Sequence, residues 1–169
     1  VSASFLALNR NKRGMALDLK QPEGAGILRR LAAGADVLVE NYRPGVARRL
    51  GVDYETLSKI NPRLIYCSIS GFGQTGPYAS RGGFDLIAQG MSGIMSATGS
   101  EGGPPVKVGV PITDLGAGLF AVFGILSALT ASAAPDHEAW IGSLRTVETG
   151  ARAGEVAELA DDRTPLHPM

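Results

Sequence analysis

Alternating and helix-spaced apolar positions divide the chain into a succession of short strands and helices. Met15, Leu17 and Leu19 alternate with Ala16 and Asp18, which predicts a short strand. Pro22 stands where a first helical turn tolerates it. Ile27, Leu28, Leu31 and Ala32 follow at helical spacing, and Gly34 closes that helix. Asp36-Val37-Leu38-Val39-Glu40 reads as a buried strand. The turn Asn41-Tyr42-Arg43-Pro44-Gly45 leads into a short basic helix, Val46 to Leu50. Asp53 caps a second helix running to about Ile60, where Asn61-Pro62 stops it. Leu64 to Ile69 is a further strand. The alternation of strand and helix predicts an α/β domain with a parallel sheet.

Two glycine-rich loops and two more helices follow. Ser70-Gly71-Phe72-Gly73-Gln74-Thr75-Gly76-Pro77-Tyr78 leaves the carboxyl end of a strand, the place where ligands sit in such sheets. It lacks the Gly-Lys-Ser/Thr ending of a phosphate-binding P-loop and does not match the G-x-G-x-x-G dinucleotide fingerprint. An ordinary surface loop fits the glycines equally well. Phe84 to Met95 reads as a helix with small positions at Ala88, Gly90, Ser92 and Gly93. Asp85, near its start, is either a cap or a group facing a ligand. The second loop, Gly99 to Pro105, runs through Val106-Lys107-Val108-Gly109-Val110-Pro111-Ile112-Thr113 to Asp114.

Asp114 is the last charge before Leu115–Ala131, an uncharged stretch that reads as a buried core helix. Its small residues Gly116, Ala117, Gly118 and Ala121 suit close helix packing, and its length is marginal for crossing a bilayer. Asp114 therefore meets unpaired backbone N–H groups at the positive end of a helix dipole, a position that favours a carboxylate. Two uses are open: a helix cap, or a nucleophile toward an activated acyl group.

The 169 residues are one domain's worth of chain, and an apolar share of 44% against 19% charged marks it as globular. A single cysteine, Cys67, rules out an intrachain disulfide framework and agrees with a reducing cytoplasm. Nothing at the start resembles a signal peptide. The net charge is zero, but residues 1–130 carry thirteen Lys/Arg against nine Asp/Glu, whereas residues 131–169 carry three against seven. The positive excess of the body suits an anionic ligand better than nucleic acid, which would call for a denser basic patch. The acidic segment after Ala131 holds both histidines, His137 and His167, and has little strand patterning. Glu155, Glu158 and Asp161 could line one helix face there, with no apolar stripe opposite.

Five blocks in consistent order carry a resemblance: LNRNKRGMALDLKQPEG, DVLVENYRPG, LSKINPRLIYCSISGFGQTGPY, RGGFDLIAQGMSGIM and GGPPVKVGVPITD. From about Phe5 to Ala131 the chain resembles the class III CoA-transferases, the group of formyl-CoA and carnitine CoA-transferases (CaiB–BaiF). The resemblance implies part of a Rossmann-like open parallel sheet with flanking helices, here without a first strand–helix unit and without a C-terminal half. It makes Asp114 the catalytic aspartate that accepts an acyl group from an acyl-CoA and then carries CoA as a thioester to a second carboxylic acid. It places CoA contacts at Leu17, Asp18, Leu19 and Lys20, at Asn41, Tyr42 and Arg43, at Ile69, Ser70, Gly71 and Phe72, and at Gly82, Gly83, Phe84 and Asp85. Arg49 is the phosphate partner. Lys20 and Arg49 suit phosphates chemically, though surface Lys and Arg are more often simply solvated.

The same resemblance implies a cytoplasmic homodimer of interlocked subunits. It implies no metal and no permanently bound cofactor, coenzyme A thioester being a substrate, and neither a membrane nor a nucleic-acid partner. A sister branch, the α-methylacyl-CoA racemases, uses a histidine that would fall at Phe84, so proton-transfer isomerisation is disfavoured. Residues 1–131 are expected to form part of a CoA-binding domain. Residues 132–169 are expected to be a divergent tail, marginal in packing or frame-disrupted, in which Trp140 to Leu144 faintly resembles a following strand. A chain so truncated could also be an inactive fragment that binds CoA or a partner chain.

Overall fold

The computed structural model describes residues 2–133 and 146–149. Its elements run α1 (Ala3–Leu8), α2 (Pro22–Ala33), β1 (Val37–Glu40), α3 (Val46–Arg49), α4 (Tyr54–Leu57), β2 (Ile65–Ile69), α5 (Asp85–Met91), α6 (Ile112–Ala133) and β3 (Thr146–Thr149). The strands form one parallel sheet in the order β1-β2-β3, with Val37 opposite Ile65 and Tyr66 opposite Thr146. Parallel neighbours need a crossover between them, and here these are α3 and α4, then α5 and α6.

The helix predictions between residues 22 and 50 hold, with local reasons, while the helix that Asp53 caps ends at Leu57, short of the expected Ile60. Pro22 occupies the first turn of α2, and Gly34 follows its end. Asn61 ties that end to the connection between α4 and β2: its amide donates to the carbonyls of Ala32 (3.0 Å) and Ala35 (2.8 Å), satisfying acceptors that a helix terminus leaves open. Asp53 caps α4, accepting from the Thr56 N–H at 3.2 Å and the Thr56 hydroxyl at 2.8 Å. Beneath these helices Ala32, Ala47, Val52, Leu57, Leu64 and Tyr66 form the main core. The Tyr66 ring meets Tyr54 edge-on at 6.1 Å, and its hydroxyl donates to the Val52 carbonyl at 3.2 Å. Burial, reinforced by the charge of Glu40, pushes the Cys67 thiol up to about 11, so it stays protonated and inert at neutral pH.

Four expectations change. Residues 12–18 form no strand: they run irregularly without a ladder, because nothing among the described residues pairs with them. Asp18 instead lies against α2, where its carbonyl oxygen would stand 2.1 Å from a Cβ on Gly24. The helix expected over Phe84–Met95 ends at Met91. Gly93 turns left-handed (φ 79°) and Ile94–Ser96 continue as a single 3-10 turn. The helix carrying Asp114 begins earlier, at Ile112, and is not a buried core helix. Ala121 and Ala128 are buried, but Leu119 is 61% and Phe123 64% exposed, because the described sheet and α5 cover one side of α6 only. By length and composition this helix could cross a membrane. Finally, part of the segment after Ala131 joins the sheet as β3. His137, Trp140 to Leu144, Glu155, Glu158, Asp161 and His167 lie outside the described residues.

Burial alone would raise the Asp53 carboxyl, yet the hydrogen bonds it accepts from the Thr56 hydroxyl and N–H help to hold it below the ordinary range. A carboxyl lowered on folding stabilises the native state fully above its unfolded value of about 3.9, and that contribution fades as pH falls through the native value. Asp53→Ala is expected to lower stability by about 1 kcal/mol at neutral pH. The difference from the wild type should shrink in urea melts taken below about pH 4.

Candidate functional site

The carboxyl ends of β1 and β2 release two loops on the same side of the sheet, and the first turns of α6 close over them. The result is a cleft of about 520 Å3. Side chains pin each loop. Asn41, just after β1, donates to the Ile69 carbonyl at 2.7 Å and so bridges the two strand ends. Glu40 accepts from the Tyr42 N–H at 2.6 Å and from the Ser68 hydroxyl, while Gln74 in the glycine loop donates to that same hydroxyl at 2.7 Å. Phe72 meets Tyr78 edge-on at 5.7 Å, and the Arg81 guanidinium lies 4.3 Å over the Tyr78 ring.

Glycine is required where the loop between β2 and α5 closes on itself. A Cβ on Gly71 would stand 2.3 Å from the Gly83 Cα, and one on Gly83 would stand equally close to the Gly71 Cα. Both stretches of main chain therefore press together at the cleft wall. The Arg43 guanidinium lies against Gly82, 3.2 Å from where its Cβ would be. Ser70, at the end of β2, is the one described residue whose buried side-chain polar atom has no hydrogen-bond partner, and it lines the cleft. An unpaired buried hydroxyl costs about 1–3 kcal/mol.

The cleft gathers Asn41, Tyr42, Arg43, Ile69, Ser70, Gly71, Phe72, Gly82, Gly83, Phe84 and Asp114 from the residues singled out in the sequence. Leu17, Asp18, Leu19, Lys20, Arg49 and Asp85 do not line it. The Asp18 carboxylate accepts from the Lys20 N–H at 3.0 Å, an ordinary turn bond, and Arg49 ends α3 exposed. Pro44, Arg81, Ala88, Thr113, Ala117 and Gly118 join the lining without having been marked. Ala117 and Gly118 could have been found, since they stand three and four residues after Asp114 on the same helix face. Arg81 carried no signal beyond its place before Gly82.

Asp114 is the third residue of α6, so it is not the N-cap that the sequence allowed. It is exposed at the cleft, still within the first turn and the reach of the helix dipole. The capping role falls to Asp85 on α5, whose carboxylate accepts from the Thr113 N–H at 2.9 Å and the Thr113 hydroxyl at 2.7 Å. Among the described residues no cluster of His, Cys, Asp and Glu could hold a metal ion.

This arrangement, a carboxylate at a helix start facing the turn after β1 and the glycine-rich loop after β2, suits covalent chemistry on an anionic substrate. The family model "CoA-transferase family III" matches residues 1–143, and the chain belongs to that family. The chain is 52% identical over 128 residues to the succinyl-CoA:glutarate CoA-transferase of Mus musculus, an alignment covering 76% of this chain and 29% of that protein. It is 53% identical over 131 residues to the acetyl-CoA:oxalate CoA-transferase of Acetobacter aceti, covering 77% and 34%. A crystal structure of a CaiB/BaiF family protein from Brucella suis matches with a TM-score of 0.79 at 45% identity, over 89% of this chain and 38% of that one. The chain thus spans about a third of the length of the relatives it matches.

Gly71→Ala or Gly83→Ala should each destabilise the protein by about 1–3 kcal/mol through overpacking, read as a lower urea midpoint. Gly26→Ala in α2, where a Cβ meets nothing within 4 Å, is the control and should stabilise by about 0.5–1 kcal/mol.

Proposed function

We propose that this chain carries the acyl-accepting half of a CoA-transferase active site, moving CoA between two carboxylic acids through Asp114. The observation that carries the reading is that Asp114 lines the same cleft as the loops leaving β1 and β2, in a chain of CoA-transferase family III. The Asp114 carboxylate attacks the thioester carbonyl of an acyl-CoA, the C–S bond breaks, and CoA leaves as thiolate with an aspartyl–acyl anhydride behind it. The thiolate then attacks the aspartyl carbonyl, releasing the first acid as its carboxylate and forming an aspartyl-CoA thioester. An acceptor carboxylate takes the aspartyl position by the reverse pair of steps, leaving as its own CoA thioester and restoring Asp114.

Each requirement has a candidate group in the cleft. Arg43 and Arg81 offer fixed positive charge for the phosphates of CoA. Main-chain N–H groups of the glycine-rich loop after β2 suit the developing oxyanion. Ala117 and Gly118 leave room beside Asp114 for an acyl chain. Phe84 also lines the cleft but has no proton to exchange, which disfavours a racemase. Residues 1–131 are read as part of the CoA-binding domain of a homodimeric enzyme with a partial Rossmann-like sheet. Coenzyme A enters as a substrate and not as a resident cofactor.

Incubation with succinyl-CoA and hydroxylamine, followed by peptide mass spectrometry, tests this. Asp114 should be recovered as a hydroxamate, and Asp114→Asn should abolish the adduct. Intact thioester with unmodified Asp114 would favour an inactive fragment that binds CoA or a partner chain.

A further inference from the structure

The start of α6 supplies no cap of its own. Pro111 precedes the helix and has no side-chain acceptor to offer, so the Thr113 N–H would be left open. Two residues of α5 settle this from outside. Asp85 accepts from the Thr113 main chain and hydroxyl. Gln89, one turn further along and 0% exposed, donates to the second Asp85 carboxylate oxygen at 2.6 Å and accepts from the Val108 N–H at 2.8 Å. Its amide also lies 3.5 Å from the Val110 carbonyl. One buried amide therefore uses its donor and its acceptor at once, which neither a carboxylate nor an apolar side chain could do.

We infer that Asp85 and Gln89 are positioning residues: from α5 they grip the entry segment Val108–Thr113 and thereby fix the first turn of α6 that presents Asp114 to the cleft. Neither touches the cleft, so both act through Thr113 and the preceding main chain. Burial raises the Asp85 carboxyl, but hydrogen bonds from Thr113, Gln89 and the Asp114 N–H outweigh it and hold the carboxyl below its ordinary range, keeping it an acceptor. The role differs from the ligand contact that the family resemblance gives Asp85. It rests on Asp114 being the acyl acceptor, so its test has one arm that does not depend on chemistry.

The first arm follows hydroxamate formation on Asp114 against succinyl-CoA concentration. Asp85→Ala and Gln89→Ala should slow labelling at saturation by up to about a hundredfold, the scale of an ångström's misplacement of a reacting group. The half-saturating concentration should stay within twofold. Asp85→Asn, which keeps one acceptor oxygen for Thr113 but sets an NH2 group against the Gln89 donor, should recover part of the rate. A raised half-saturating concentration at unchanged maximal rate would make Asp85 a ligand contact and overturn the proposal. The second arm measures amide hydrogen exchange. In Asp85→Ala the Thr113 amide should exchange about tenfold faster while the Leu57 and Tyr66 amides do not change. If the wild type forms no hydroxamate, the nucleophile reading fails and the Thr113 amide alone decides: unchanged exchange there overturns the clamp. Should Asp85→Ala fail to fold, Gln89→Ala carries the same two readouts.

Discussion

The ladder of β2, paired on both edges and buried on both faces, is the constraint on which the rest of the structure depends. Its alternating side chains serve two separate cores. Tyr66 packs under α2, α3 and α4, while Cys67, on the opposite face, packs against Ala121 of α6. A strand so enclosed cannot shift register without moving both sets of side chains to the wrong face. Its last residues, Ser68 to Ser70, are held with equal firmness, and these feed the cleft.

From that anchor the site is built by polar contacts made at strand ends. Asn41 bridges β1 to β2, and Glu40, Ser68 and Gln74 fasten the glycine loop to the sheet. Gly71 and Gly83 then let the two ends of the loop between β2 and α5 meet main chain to main chain. The helix that brings Asp114 is held to the sheet by small residues and to α5 by Asp85 and Gln89. Groups that form no part of the cleft wall thus decide where its carboxylate stands.

The outer side of α6 tells a second story. Leu115, Leu119, Phe120, Phe123 and Leu126 are more than half exposed on a helix whose sequence has the composition of a core segment. An apolar helix is stabilised by covering both sides, and the described sheet covers one.

Local pattern alone was enough for much of this. Pro22 and Gly34, the Asp53 cap, and the apolar runs of β1 and β2 are decided by neighbours in sequence, so the helices and strands between residues 22 and 69 were legible. So was the importance of the segment leading to Asp114, because a lone charge before seventeen uncharged residues is a local fact. The alternation at Met15–Leu19 misled, since a strand exists only where another strand can pair with it. Which residue capped α6 was equally beyond local reading. Asp114 had the right type and place for a cap, but the bond went to Asp85, 28 residues before the Thr113 that it holds, and only the packing of α5 against α6 brings the two together. Sequence neighbours fix the geometry of a turn; the partner of a buried polar group is chosen by whichever element folding sets beside it.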